Sequence, residues 1–385
     1  MNLRRFSPLL GIALLIASSA AEAVVHRVHP GQSIQAAVDA ASPGDTILVY
    51  PGTYQETHGG QYGVHVTTDN LRLIGRARRS LGEAGKVRLV PGPGQETGIM
   101  AVGTSPTQYL QRFYLRGFTV EGFSHHGIMT RWVSDFRIER NEFIDNLENG
   151  IFPILSANGM VRRNVSYGSL DTALWVGSVQ NVRILNNELY DSPIGIEITN
   201  STDVTVKRND IHGNAVGVGL FHPNATGFGG SLGANMRVER NHIHDNNGPN
   251  NAPPGTFQAD LPIGGGVLLL GVDEAVIRLN KIEDNDFYGV AIVDWCTAMV
   301  AGPESRNCTN DPPLDDPTPD NNLVSRNRLS GNATAPPAHP LALFAEEFIY
   351  LIGFPPPGVG NCFERNTYST HFSTEPGGLL PVDGC

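Results

Sequence analysis

The chain is poor in charge and poorer still in lysine. Only 17% of its 385 residues are Asp, Glu, Lys or Arg, and Lys86, Lys207 and Lys281 are the only lysines. With 27 basic against 38 acidic residues the formal net charge is -11, a balance that repels nucleic acid and anionic membrane surfaces. Lysine-base chemistry is poorly provided for, since Lys207 and Lys281 both lie beside turn asparagines. Cysteine is scarce and late: Cys296, Cys308, Cys362 and Cys385 are spaced for neither a zinc site nor a redox pair. Beyond the first two dozen residues no apolar run approaches the roughly 18 residues of a membrane span. Helical spacing at i, i+3, i+4 is missing between Val64 and Val293, which excludes helical and leucine-rich repeats.

In place of charge and helix stand glycine, with 44 residues, and asparagine in a regular cadence. Asn141, Asn164, Asn187 and Asn209 follow one another at steps of 23, 23 and 22 residues, and Asn241, Asn280 and Asn327 continue the series after longer gaps. Each period holds three short runs of alternating apolar and polar residues, the pattern of strands half-buried against a core. One unit cannot bury its inward side chains, whereas stacked units can. Asparagine tolerates left-handed backbone and bonds its own neighbouring main chain, so it suits a tight turn. The cadence predicts an all-β fold: a right-handed parallel β-helix, a three-sheet solenoid of about ten coils. Ser33, followed by Ile34, Ala37, Val38 and Ala41 and stopped by Pro43-Gly44, predicts a short N-terminal capping helix over the open edge of that coil.

Arg4 and Arg5, the apolar run from Leu9 to Ala17 and Ala21-Glu22-Ala23 read as a signal peptide over residues 1–23. The unbroken repeat predicts one domain over 24–361, and 362–385 reads as a C-terminal tail closed by a disulfide. In an exported protein the expected pairs are the local ones, Cys296 with Cys308 and Cys362 with Cys385. Export places the mature protein in the periplasm or outside the cell.

The stretch SIQAAVDAASPGDTILVYPGTY and the recurring NxIxxNxxGIxI, as in Asn209, Ile211, Asn214 and Gly217, resemble the secreted right-handed parallel β-helix proteins of the pectate-lyase-like superfamily. The resemblance covers nearly the whole mature chain and implies the fold rather than one activity. Motifs of the enzymatic members are mostly missing: no Asp-Pro-His of alginate epimerases, no Asn-Thr-Asp or Gly-His-Gly of polygalacturonases, no Arg-x-Pro-x-x-Arg of pectate lyases. The resemblance implies a working surface along the strand that carries Gly-Ile-x-Ile. The chain adds its own reason, since its long insertions at residues 245–263, 295–321 and 331–340 all flank that strand.

Alternation along that strand predicts an outward column of His65, Met100, Met129, Phe152, Trp175, Glu197, Gly219, Leu268 and Ala291, with Arg131 and Phe221 further along. Phe152, Trp175, Met129 and Phe221 are candidate sugar platforms. Two chemistries fit. A lyase or epimerase, the expected choice of the two, needs a uronate carboxylate neutralised by Arg131 or Ca²⁺ and a base such as His222. A hydrolase needs two carboxyl groups, for which Glu197 and Asp171 are the best pair. Phe152 and Trp175 could equally lie beneath the apolar stretch 341–354.

A second column, three residues after successive turn asparagines, holds Tyr167, Tyr190, His212, His244 and Glu283. There His212 and His244, with Glu283, His242 or Asp245, are candidate metal ligands. The Asp-rich loop 310–320 is a candidate Ca²⁺ site. The leading expectation is an exported protein that handles poly- or oligosaccharide. The other is a non-catalytic binding protein for a partner or a copper-type metal. Neither a nucleic-acid partner nor insertion into a membrane is expected.

Overall fold

The computed structural model describes residues 22–221, 233–301, 318–353 and 358–382. Most of the expected signal peptide, His222, Cys308, Cys385 and most of the Asp-rich loop lie outside them. Three parallel sheets wind around one axis, with 14, 10 and 11 strands. A coil takes one strand from each sheet in turn, as in Gln180–Leu185, Glu188–Tyr190 and Ile194–Thr199, before the chain steps to the next rung. Among the described residues no helix is long and apolar enough to cross a membrane.

Each sheet buries one column of branched or aromatic side chains. Ile128, Ile151, Leu174, Ile196, Val218, Val267 and Val290 fill the third sheet's inner face, opposite Ile138, Val161, Ile184 and Val206 of the first, all without solvent exposure. These columns merge into one core running the length of the coil. Burying a side chain of this size contributes roughly 1.5–3 kcal/mol, and only stacking makes that burial available.

The turn asparagines form the predicted ladder. From Asn141 through Asn164, Asn187, Asn209, Asn241, Asn280 and Asn327 to Asn366, each Nδ2 donates to the next Oδ1 at 2.9–3.1 Å. The same oxygen also accepts the preceding rung's backbone N–H, as from Asn164 to Asn187 at 2.9 Å. A second ladder, at the corner between the second and third sheets, joins Asn214, Asn246, Asn285 and Asn332 at 2.8–3.0 Å. The residue before the first ladder's asparagine is left-handed. Arg140, Arg163, Arg208, Arg240, Arg326 and Arg365 all have φ between 53 and 56°, a conformation unfavourable for a side chain with a Cβ. The ladder bonds over-determine the turn and hold it there.

The capping helix α1 (Ile34–Asp39) stands where the sequence predicts it. Ser33 Oγ accepts from Ala36 N at 2.9 Å and donates to Glu56 Oε2 at 2.5 Å, while Ile34 N donates to Glu56 Oε1 at 2.6 Å. Ser33→Ala removes a cap and one support of a buried carboxylate, so chemical unfolding should show a loss of about 1–2 kcal/mol with the fold intact by circular dichroism.

At the other end the coil continues past residue 361. Cys362–Glu364 is the last strand of the first sheet and His371–Ser373 the last of the third. These strands are only three residues long, too short for alternation to announce them among prolines and glycines. The apolar stretch beginning at Leu341 does not lie across Phe152 and Trp175. Its strand Glu346–Leu351 pairs between Tyr288–Val293 and His371–Ser373 as an ordinary rung. Cys296, in α2 (Trp295–Ala301), and Cys362 are both buried, and neither is a free thiol. Their expected partners, Cys308 and Cys385, are outside the described residues.

Candidate active site

The third sheet presents the predicted outward column in register: His65 beside Met100, Met100 beside Met129, Met129 beside Phe152, Trp175 beside Glu197, Glu197 beside Gly219, and Leu268 beside Ala291. Much of the column is covered. Phe152 is 3% exposed, its ring stacked on Trp175 at 4.3 Å and tilted against His126 at 4.8 Å. Trp175 is half-buried, and its Nε1 donates to Thr199 Oγ1 at 2.7 Å, which fixes the indole plane.

Glu197 and Asp171 do come together. Glu197 is 2% exposed, while Asp171 is half-buried at the rim. The Thr172 hydroxyl lies 3.0 Å from Glu197 Oε2 and 3.2 Å from Asp171 Oδ1. A hydroxyl carries one proton and offers lone pairs, so it satisfies both contacts only when one carboxyl group is protonated and donates to it. The surroundings enforce that proton. Burial, then the charge of Asp171, pushes Glu197 up to about 8; burial, with the nearby charge of Glu148, pushes Asp171 up to about 7. Two anions this close in a desolvated place cannot both ionise cheaply, so burial and mutual repulsion favour a proton on the pair.

Four further residues belong to this place and were not singled out from sequence. Glu148 stands one rung before Asp171 and is itself pushed up by burial. His126, 9% exposed on its side chain, lies 3.5 Å from Glu148 and is held neutral, its value lowered to about 3 by burial and then by the charge of His125. Asn149 approaches His126 Nδ1 at 3.5 Å, and its Oδ1 is buried without a hydrogen-bond partner. Gln258, from the insertion at 245–263, reaches back to donate to Glu197 Oε2 at 3.3 Å. One signal was available: the 23-residue offset that aligns Asn141 with Asn164 also aligns Glu148 with Asp171.

Other candidates are placed elsewhere. Arg131 stands at the far end of its strand, with its backbone roughly 16 Å from that of Glu197 and roughly 22 Å from that of Asp171 by strand rise and rung spacing, and with its guanidinium 4.4 Å over the Trp132 ring. Phe221 is fully buried, met edge-on by Phe257 of the 245–263 insertion at 5.1 Å. It is therefore part of a wall and not an open platform, because the insertion folds over the strand it was expected only to flank. Met129 remains half-buried on the open part of the face. Beyond Phe257 the same face holds a separate cavity of about 80 Å³, lined by Leu268, Phe287, Tyr288, Ala291 and Ile349 among others. Its walls are mostly apolar.

On the second sheet the predicted column is also in register: Tyr167, Tyr190, His212, His244 and Glu283. Its rings stack, Tyr167 on Tyr190 at 4.6 Å, Tyr190 on His212 at 5.1 Å and His212 on His244 at 5.2 Å. Three ligand atoms converge at its end, but the set is Asp210, His242 and His244. His212 is engaged in the ring stack, and Glu283 accepts from Lys281 and from Ser330 Oγ.

Residues 126–310 match the family model described as the right handed beta helix region. The fold is a right-handed parallel β-helix. The β-helix is similar to the DFA-IIIase of Arthrobacter chlorophenolicus A6 in complex with DFA-III, at 15% identity and a TM-score of 0.57, over 89% of this chain and 83% of that one. It is also similar to the A-module of the Azotobacter vinelandii mannuronan C-5 epimerase AlgE4, at 18% identity and a TM-score of 0.53, over 88% of this chain and 95% of that one. No curated protein matches the β-helix in sequence. At these identities the likeness is one of fold.

Proposed function

We propose that this β-helix handles carbohydrate and cleaves a glycosidic bond in a neutral oligo- or polysaccharide, with Asp171 and Glu197 as the acid and base or nucleophile. The observation that carries the reading is the placement of both carboxyl groups on one hydroxyl, Glu197 Oε2 at 3.0 Å and Asp171 Oδ1 at 3.2 Å from Thr172 Oγ1. Glycoside cleavage needs one carboxyl group protonated to release the leaving oxygen and one ionised to meet the oxocarbenium-like centre, and burial with mutual repulsion favours that state in this pair. Contacts of 3.0 and 3.2 Å to one hydroxyl hold the nearest carboxyl oxygens within about 6 Å of each other, nearer the roughly 5–5.5 Å of a retaining pair than the roughly 6.5–9.5 Å that admits a water between them. Trp175, fixed by Thr199, supplies an apolar wall for a sugar ring.

The same geometry argues against the lyase or epimerase alternative that the sequence ranked first. Glu148, Asp171 and Glu197 gather carboxyl groups, Arg131 is remote, and His126 is neutral, so among the described residues a uronate carboxylate meets no basic group there beyond the exposed His125, itself 3.6 Å from Glu96. Fold relatives described as acting on mannuronan or holding DFA-III are compatible with carbohydrate as the ligand class. Export and the periplasmic or extracellular location belong to the same proposal, as do the pairs Cys296 with Cys308 and Cys362 with Cys385.

The test is a panel of neutral and uronate-containing glycans. Reducing-end release or transglycosylation on a neutral member supports the reading. New unsaturated-uronate absorbance, or turnover of none, overturns it. On a cleaved substrate Trp175→Ala should raise KM about tenfold or more with a smaller change in kcat, as expected for loss of a stacking wall away from the bond that breaks.

A further inference from the structure

The second sheet carries a group of ionisable side chains that the carboxylate pair does not use. We propose that Asp210, His242 and His244 bind a divalent ion of the late first-row transition series, zinc or copper in chemical type. Asp210 and His242 are cross-strand partners, and His244 follows His242 by two residues on the same face. His244 Nε2 lies 3.0 Å and His242 Nδ1 3.4 Å from Asp210 Oδ1, and all three ligand atoms fall within 4.8 Å of one another. Ligands placed about 2.0–2.1 Å from a tetrahedral ion stand roughly 3.4 Å apart, so the spacing suits such an ion, and the His242 and His244 rings, stacked at 3.8 Å, would turn apart to aim both lone pairs at it.

The outer nitrogens point the same way. His244 Nδ1 lies 2.7 Å from Asp245 Oδ2, which holds Nε2 toward Asp210. His242 Nε2 is shielded from solvent, makes no hydrogen bond and lies 3.5 Å from Glu283 Oε2. A carboxylate hydrogen-bonded behind a histidine orients imidazole toward a metal and raises its basicity; His244 has that bond, and Glu283 stands 3.5 Å from the matching atom of His242. His212, stacked on the His244 ring, restricts the tilt of that ring further. Two imidazoles and one carboxylate select against Ca²⁺ and Mg²⁺, which require oxygen ligands throughout. Three protein ligands also leave one position for water or an external group. The ion would bridge neighbouring rungs, since Asp210 and His242 belong to successive coils.

The test uses the full chain, stripped with chelator and titrated with Zn²⁺ by calorimetry, and with Co²⁺ by visible absorption. One equivalent with a Kd of roughly 10 μM or tighter is expected, with the intense ligand-field bands of four-coordinate Co²⁺. The double variant His242→Ala/His244→Ala should abolish binding with the circular dichroism unchanged. Asp245→Asn, which touches no ion, should weaken it about 10- to 100-fold. Unaltered binding in the double variant, equal competition by Ca²⁺, or no binding to the wild type would overturn the proposal. Glu197→Gln should bind Zn²⁺ like the wild type, so this site and the carboxylate pair stand or fall separately.

Discussion

Glu197→Gln is expected to abolish turnover of a cleaved glycan, by about 10³-fold or more, and at the same time to make the protein more stable in mild alkali. Both results follow from one proton. In the fold Glu197 and Asp171 lie at about 8 and about 7, above their ordinary values of 4.5 and 3.8. A carboxyl group whose value is raised by folding favours the protonated state. Its stabilising effect is fully present below about pH 4 and is lost as pH rises through 7 to 8. The wild type should therefore weaken across that window, and Glu197→Gln, isosteric and neutral, should not.

At pH 8 the variant should exceed the wild type by on the order of 2–4 kcal/mol, and at pH 4 the two should nearly coincide. Thermal melts from pH 4 to 9 measure this directly. Asp171→Asn should lose activity to a similar degree with a smaller gain in stability, because Asp171 is nearer solvent. A wild type that gains stability from pH 5 to 8 would contradict the shared proton.

Asn187→Ala is expected to be strongly damaging, as a substitution in the middle of the ladder. Asn187 Oδ1 accepts from Asn164 N at 2.9 Å and Asn164 Nδ2 at 3.1 Å, while its Nδ2 donates to Asn209 Oδ1 at 2.9 Å and to the Val161 carbonyl at 3.1 Å. Removing it strands two buried donors on one side and deprives two buried acceptors on the other. At roughly 1–3 kcal/mol for each unsatisfied group, the loss is on the order of 3–6 kcal/mol, a large part of a normal folding free energy. The last rung serves as the comparison. Asn366 is half-buried, takes the Asn327 bonds and donates to the Val324 carbonyl, so water can replace what Asn366→Ala removes. Its loss should be about 1–2 kcal/mol. Urea unfolding of the two variants checks the difference, and equal costs would mean that burial does not set the strength of the ladder.

The architecture was legible because it depends on period. An offset of 22 to 23 residues fixes the Asn ladder and the Phe152, Trp175 and Glu197 column at once, and two-residue alternation then assigns their direction. The site was legible only in part, for two physical reasons. Near the strand entry the alternation breaks: Gly127 and Ile128 both face the core, a Cβ on Gly127 meeting the Phe143 ring at 2.7 Å and Ile128 having no exposure. His126 is thereby returned to the outer face beside Phe152, where simple counting does not place it. The second reason is tertiary. Gln258 meets Glu197 across 61 residues, and Phe257 buries Phe221, because an insertion folds back over the sheet. Insertions mark a face in the sequence but do not say which of their residues will touch it.

The ladder is indifferent to the length of chain between its rungs. Its side-chain bond stays at 2.9–3.1 Å while the separation in sequence grows from 22 residues, between Asn187 and Asn209, to 47, between Asn280 and Asn327. The extra chain leaves and rejoins the winding beside the third sheet. The molecule is thus a chassis with tolerant ports: a foreign segment grafted between Asn241 and Asn280, or between Asn280 and Asn327, leaves the backbone of the coil in register. What changes with a graft between Asn241 and Asn280 is the cover over Glu197, which Gln258 now supplies, while the frame beneath stays as it is.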